Sequence, residues 1–188
     1  SPKVSAVRRT SITGAPGAGK TAIAELYGEA LAASDLRAAR PQDPSRILRV
    51  NVRPTWLDAS DLLGAVHPLT SNFQPSVSGV FQQLIAASEE FTRHGAASGV
   101  WPVIFDDADQ SPMQAWFADV LRSERGARPQ RTLRVFTPHA ADTQSAWLRW
   151  SELELSPAVR WVATWGGGLH EPGAAVRAFA PVITLRQD

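Results

Sequence analysis

The chain has 188 residues, 19 of them basic and 18 acidic, for a net charge of +1. That length suits one α/β domain with a sizeable core, and the near-neutral balance argues against a surface dedicated to coating nucleic acid while leaving room for a local basic patch. The absence of cysteine excludes disulfides, thiolate metal sites and thiol nucleophiles within this segment, and no apolar run approaches the ~18 residues of a membrane span. A cytoplasmic protein without membrane contact is expected. The start, Ser1-Pro2-Lys3, carries no initiator Met, which points to a piece of a longer polypeptide.

Residues 7–13 are short and partly polar but lie directly before a glycine-rich turn, a position that predicts a first strand. The turn reads Gly14-Ala15-Pro16-Gly17-Ala18-Gly19-Lys20-Thr21 and fits G-x-x-x-x-G-K-[ST] at every fixed position. Such a loop binds the phosphates of a nucleotide. Its glycines let the backbone curl and aim successive N–H groups at phosphate oxygens, where a Cβ would clash. Lys20 reaches the β- and γ-phosphates, Thr21 offers its hydroxyl to Mg²⁺, and the helix that begins here turns its positive end toward the anion. The expected binding residues are therefore Gly14, Pro16, Gly17, Ala18, Gly19, Lys20 and Thr21, with ATP or GTP as substrate. Lys3 and Lys20 are the only lysines in a chain that otherwise uses arginine, so the compact ammonium is kept where a point charge is needed.

From Lys20 to about Ser34, Ala22, Ile23, Leu26, Ala30 and Leu31 recur at helical spacing and predict a helix burying that stripe. Two prolines make residues 37–44 a loop, and residues 47–52 read as a second strand. Between residues 51 and 79 the pattern is irregular: Asp58 or Ser60 caps one short turn before Gly64, and the rest is a loop or small hairpin. Val80, Phe81, Leu84, Ile85 and Ala87 restore a helix that ends near His94-Gly95. Trp101-Pro102-Val103-Ile104-Phe105 is a continuous apolar strand of the kind buried on both faces of a parallel sheet, and it runs straight into Asp106-Asp107. Ser111-Pro112 opens a helix, with Ser111 as cap and Pro112 at its first position, carrying Met113, Trp116, Phe117, Val120 and Leu121 inward as far as Gly126. Residues 133–136 and 153–155 suit the arms of a small antiparallel excursion with Trp147 and Trp150 in its connector. Residues 160–164 form a further core strand broken by Gly166-Gly167-Gly168, residues 174–179 a helical turn, and residues 181–185 a last strand. This alternation predicts an α/β fold with a five-stranded parallel sheet flanked by helices, a small β-hairpin insertion, and its site at the carboxyl ends of the strands.

An Asp-Asp pair after a strand is ordinarily a turn; joined to the loop it reads as the second half of a nucleoside triphosphatase. Asp106, expected on the strand adjacent to the loop, holds Mg²⁺ through its water shell opposite Thr21, and Asp107 stands where a base or a water-orienting carboxylate is wanted.

These residues resemble a family. Gly-Ala-Pro-Gly-Ala-Gly-Lys-Thr is similar to the AAA+ form of the P-loop NTPase motif, and Val103-Ile104-Phe105-Asp106-Asp107 to its strand ending in Asp-Glu. Val52-Arg53-Pro54-Thr55-Trp56, Asp61-Leu62-Leu63-Gly64, Phe73-Gln74-Pro75 and Gly79 resemble the dynein-related subgroup of McrB-type restriction GTPases and MoxR-type ATPases. Asp106-Asp107-Ala108-Asp109-Gln110 with Trp116-Phe117-Ala118-Asp119-Val120-Leu121 resembles the McrB-type branch. The resemblance implies a ring, usually hexameric, of like or mixed subunits, driving a nuclease or effector in defence against foreign DNA, with any DNA contact made through a partner or through further domains. It also implies that Arg177, in Val176-Arg177-Ala178, reaches a neighbour's γ-phosphate. The chain departs from the family at Asp107, shorter than the expected Glu, at Asp109 in place of Asn, and at Gly166, where a polar residue would sense the γ-phosphate. Val176 replaces the Asp that precedes this arginine in the family, and no segment matches the family's helical lid. A module that binds nucleotide but hydrolyses it little, or a MoxR-type chaperone, are the alternative readings.

Overall fold

The computed structural model describes residues 8–33, 46–125, 131–138, 146–167 and 182–185. The expected loop over 37–44, the helical turn over 174–179 and Arg177 lie outside the described residues.

Five strands pair in parallel: β1 (Arg9–Gly14), β2 (Leu48–Asn51), β5 (Trp101–Asp106), β8 (Val159–Trp165) and β9 (Val182–Leu185), in the order β2-β5-β8-β1-β9. The α/β class and the five-stranded parallel sheet flanked by helices are as expected. One neighbour relation differs. The acid-bearing β5 is not adjacent to the loop strand β1, because β8 pairs with both and lies between them. Two small antiparallel pairs accompany the sheet: β3 (Gly64–Val66) with β4 (Phe73–Pro75), and β6 (Thr132–Arg134) with β7 (Glu152–Glu154).

Side-chain alternation divides the sheet into two packed faces. On β5, Trp101, Val103 and Phe105 join the larger core with α2 (Ala59–Leu63), α3 (Val80–His94), α4 (Met113–Trp116) and α5 (Ala118–Arg125). Ile104 turns the other way, with Ile12 and Val162, toward α1 (Lys20–Ala33). An aromatic cluster fills the larger core: Phe105 lies 5.0 Å from Trp116, 5.5 Å from Phe117 and 5.9 Å from Trp161, ring centre to ring centre.

The stripe expected to bury α1 is on the wrong side. Ile23 and Leu26 are 37% and 64% exposed, and the face on the sheet carries Ala24 and Gly28 instead. A Cβ at Gly28 would meet Ile104 Cδ1 at 3.0 Å, so the small residues set how closely α1 approaches the strands.

The helix expected from Ser111 is also different, breaking at Phe117 into α4 and α5. Successive residues of an unbroken helix point about 100° apart, and the break lets Trp116 and Phe117 both enter the core. Ser111 does not cap it; its hydroxyl accepts the Trp116 indole N–H at 2.8 Å, and Pro112 is the extended residue preceding the helix.

Asp58 does cap α2, and Asp61 returns the bond in a capping box. At the far end of α3, the Glu90 carboxylate gathers the Arg46 guanidinium (2.8 Å), the Gly99 N–H (2.9 Å) and the Trp101 indole N–H (2.9 Å), joining that helix to the start of β5. Among the described residues no helix is long and apolar enough to cross a membrane.

Candidate functional site

All five strands run the same way, so their carboxyl ends share one edge, where the loop from β1 turns into α1. Gly17 and Gly19 have φ of 80° and 77°, left-handed values that strain any residue with a Cβ. The turn is closed by the Ala18 N–H donating to the Ala15 carbonyl at 3.1 Å, with Pro16 and Gly17 between them. Gly14 is there for a different reason from the one expected. A Cβ on it would lie 3.0 Å from the Leu185 carbonyl oxygen, so it admits β9 rather than curling the loop. Lys20 is 7% exposed, and its ammonium donates to the Ala15 carbonyl at 2.8 Å, folding back over the loop.

Sheet register brings the second half of the site to the first. Ile104 and Val162 are paired and both face α1, so Asp106 and Thr164, two residues on, face it side by side. Asp106 Oδ1 accepts from the Thr21 hydroxyl at 2.8 Å and from the Thr164 hydroxyl at 2.7 Å. Its Oδ2 accepts from Arg49 Nη2 at 2.6 Å. Burial acts to raise the Asp106 pKa, but the Thr164 and Thr21 hydroxyls and the Arg49 guanidinium outweigh it and hold the carboxyl below its usual range.

Asp107 sits at φ 52°, ψ 49°, its N–H donating to the Thr164 hydroxyl oxygen at 3.0 Å and its carbonyl accepting from Gln110 N–H at 3.0 Å. Partial burial, then the charges of Asp106 and Asp109, push its carboxyl up, with Lys20 and Arg49 opposing. Asp109 is buried and takes the Gly166 N–H at 2.9 Å, tying the end of β8 to the turn after β5. An open cleft is lined by Gly17, Lys20, Thr21, Asp107, Gln110 and Gly166, among others.

Loop residues and Asp107 thus line one cleft, with Asp106 buried beside it and bonded to Thr21, whereas Arg177 lies outside the described residues. Arg49 and Thr164 complete the site, and sequence reasoning gave neither a role. Their signal is a polar residue between apolar strand neighbours: Arg49 falls between Leu48 and Val50, and Thr164 between Ala163 and Trp165. Pairing then decides which groups those polar faces meet.

The oxygen donors present fit Mg²⁺, which takes a hydroxyl, one or two carboxylates, phosphate oxygens and water. Among the described residues no group of three or more His, Cys, Asp and Glu side chains converges to form a cage for a metal ion. No family model matches the chain, and no curated protein matches it significantly.

Proposed function

We propose that this chain is a P-loop nucleoside triphosphatase core that binds and hydrolyses ATP or GTP with Mg²⁺. The observation that carries the reading is the 2.8 Å hydrogen bond from Thr21 to Asp106, which joins the glycine-rich loop to an acid 85 residues away. A lysine, a hydroxyl and an ionised carboxylate at a helix start form the constellation a triphosphate and its metal require. Thr21 and the water shell of Asp106 would hold Mg²⁺, which neutralises phosphate charge when bound. Lys20 takes the β- and γ-phosphates, and the loop N–H groups position them. Asp107, exposed at the cleft, accepts a hydrogen bond from the attacking water. Burial, then the charges of Asp106 and Asp109, raise its pKa, which improves it as a proton acceptor.

The resemblance to AAA+ proteins of the dynein-related subgroup supports a ring in which Arg177 serves a neighbour's site, with the McrB-type branch ahead of the MoxR type. The ring would be the motor or switch for a nuclease or effector partner. A second reading, a module that binds nucleotide but turns it over slowly, is favoured by Gly166: it presents only a backbone N–H, and that N–H is bonded to Asp109.

The test is titration calorimetry with ATP and GTP side by side. Lys20→Ala is expected to abolish binding of whichever nucleotide binds, since the sequence's other lysine, Lys3, lies outside the motif. Unchanged affinity would remove the proposal. Turnover of the two nucleotides then separates the hydrolase from the binding module.

A further inference from the structure

Arg49 belongs to none of the sequence motifs, yet it touches the central acid of the site. It lies on β2, between Leu48 and Val50 of the larger core, so its side chain emerges on the α1 face. There Nη2 is 2.6 Å from Asp106 Oδ2 and Nη1 is 2.5 Å from Glu25 Oε1 on α1. The Arg49 side chain is 46% exposed, that of Asp106 8%. Asp106 Oδ1 already accepts two hydroxyl donors, so Oδ2 is the oxygen left to face a cation, and Arg49 is the cation on it.

We propose that Arg49, bridging Asp106 and Glu25, is a built-in counter-cation for Asp106 that lowers the dependence of nucleotide binding on Mg²⁺. The inference rests on the nucleotide-binding reading and concerns the regulation of that same site. With Arg49 on Asp106 the carboxylate is neutralised, so it repels incoming phosphates less when no metal accompanies them. When Mg²⁺ arrives, two cations compete for one carboxylate. Glu25 offers the guanidinium a second anion at hydrogen-bond distance, so Arg49 can release Asp106 without losing every charged partner. Arg49 is thus a positioning residue, acting on phosphates and metal through Asp106.

The experiment measures affinity for one fluorescent nucleotide in excess Mg²⁺ and in EDTA, for the wild type, Arg49→Ala, Arg49→Lys and Glu25→Gln. The readout is the ratio of the two dissociation constants. Arg49→Ala is expected to increase the preference for Mg²⁺ about tenfold, chiefly by weakening metal-free binding, a coupling of ordinary size for neighbouring sites. Arg49→Lys should stay near the wild type because the charge remains. Glu25→Gln should lower the preference, because Arg49 then has only Asp106 to hold. Folding is checked by thermal melting; if Arg49→Ala does not fold, the opposite shift in Glu25→Gln carries the test.

Equal losses with and without metal in Arg49→Ala, or an unchanged ratio in both Arg49→Ala and Glu25→Gln, would overturn the inference while leaving the nucleotide site standing. No binding by the wild type under either condition would remove both.

Discussion

At Asp107 the backbone and the proposed chemistry pull in different directions. A left-handed conformation costs an ordinary residue on the order of 1 kcal/mol, and Asp tolerates it better than Glu because its short side chain bonds locally. Asp107→Gly is therefore expected to raise stability by about 1 kcal/mol in urea melts while abolishing turnover and leaving nucleotide affinity nearly unchanged. Asp107→Glu extends the carboxylate by about 1.5 Å toward the water it would orient. A misplacement of about 1 Å can cost roughly a hundredfold in rate, so Asp107→Glu should speed hydrolysis without tightening binding. A side chain at 166 also fits: a Cβ on Gly166 would lie 3.9 Å from Lys20 Nζ and 3.6 Å from Asp109 Oδ2. Asp107→Glu with Gly166→Asn should then exceed the single change. A wild type turning over at about 1 s⁻¹ or faster, with Asp107→Glu neutral or harmful, would show that the site is adapted to Asp.

Asp106 gives a pH dependence whose sign follows from its depressed pKa. The stability it contributes is fully present above its ordinary value of 3.8 and is lost as pH falls through the lower folded value. Asp107, with a raised pKa, works the other way: its ionisation on raising the pH weakens the fold. In thermal melts below about pH 4, the wild type should lose stability more steeply than Asp106→Asn. Parallel acid limbs would show that the hydrogen bonds to Asp106 are not part of the folded state's balance.

At the scale of elements, α1 explains how a small-residue helix sets a functional distance. Thr21 reaches Asp106 because Ala24 and Gly28 let the helix lie close on the strands. Gly28→Val should cost about 1–3 kcal/mol by overpacking against Ile104 and should weaken nucleotide binding as well, because α1 carries Lys20 and Thr21. Leu26→Glu, on the exposed face, should change stability by no more than about 0.5 kcal/mol. Equal losses in the two variants, by urea denaturation, would contradict the packing described. The two helices also show when hydropathy identifies the buried face. In α3 the contact is made by large residues, Phe81 and Leu84 among them, and their spacing marks it correctly. In α1 the contact is made by residues that barely register as hydrophobic, so the larger Ile23 and Leu26 point to the wrong side.

For the whole molecule, the proposed ring requires that one chain complete another's site. If Arg177 acts on a neighbour, mixing Arg177→Ala chains with Lys20→Ala chains should give rings in which some interfaces are competent, with partial nucleotide turnover. Strictly no activity in mixed rings that demonstrably form by light scattering would count against a shared site. In the described sheet the loop and its partner acid lie together at the carboxyl ends of parallel strands.

The sequence by itself determined the alternation of strands and helices, the buried β5 ending in Asp106, and the loop that turns from β1 into α1. These are local patterns: apolar runs, glycines at left-handed positions and turn residues act within a few residues of the chain. Only the tertiary structure decided that β8 separates β5 from β1, that α1 rests on its glycine face, that Gly14 makes room for β9, and that Arg49 and Thr164 flank Asp106. Each of these depends on which strands pair and in what register. Pairing is settled by packing between segments far apart in the chain, and no single stretch of sequence records it.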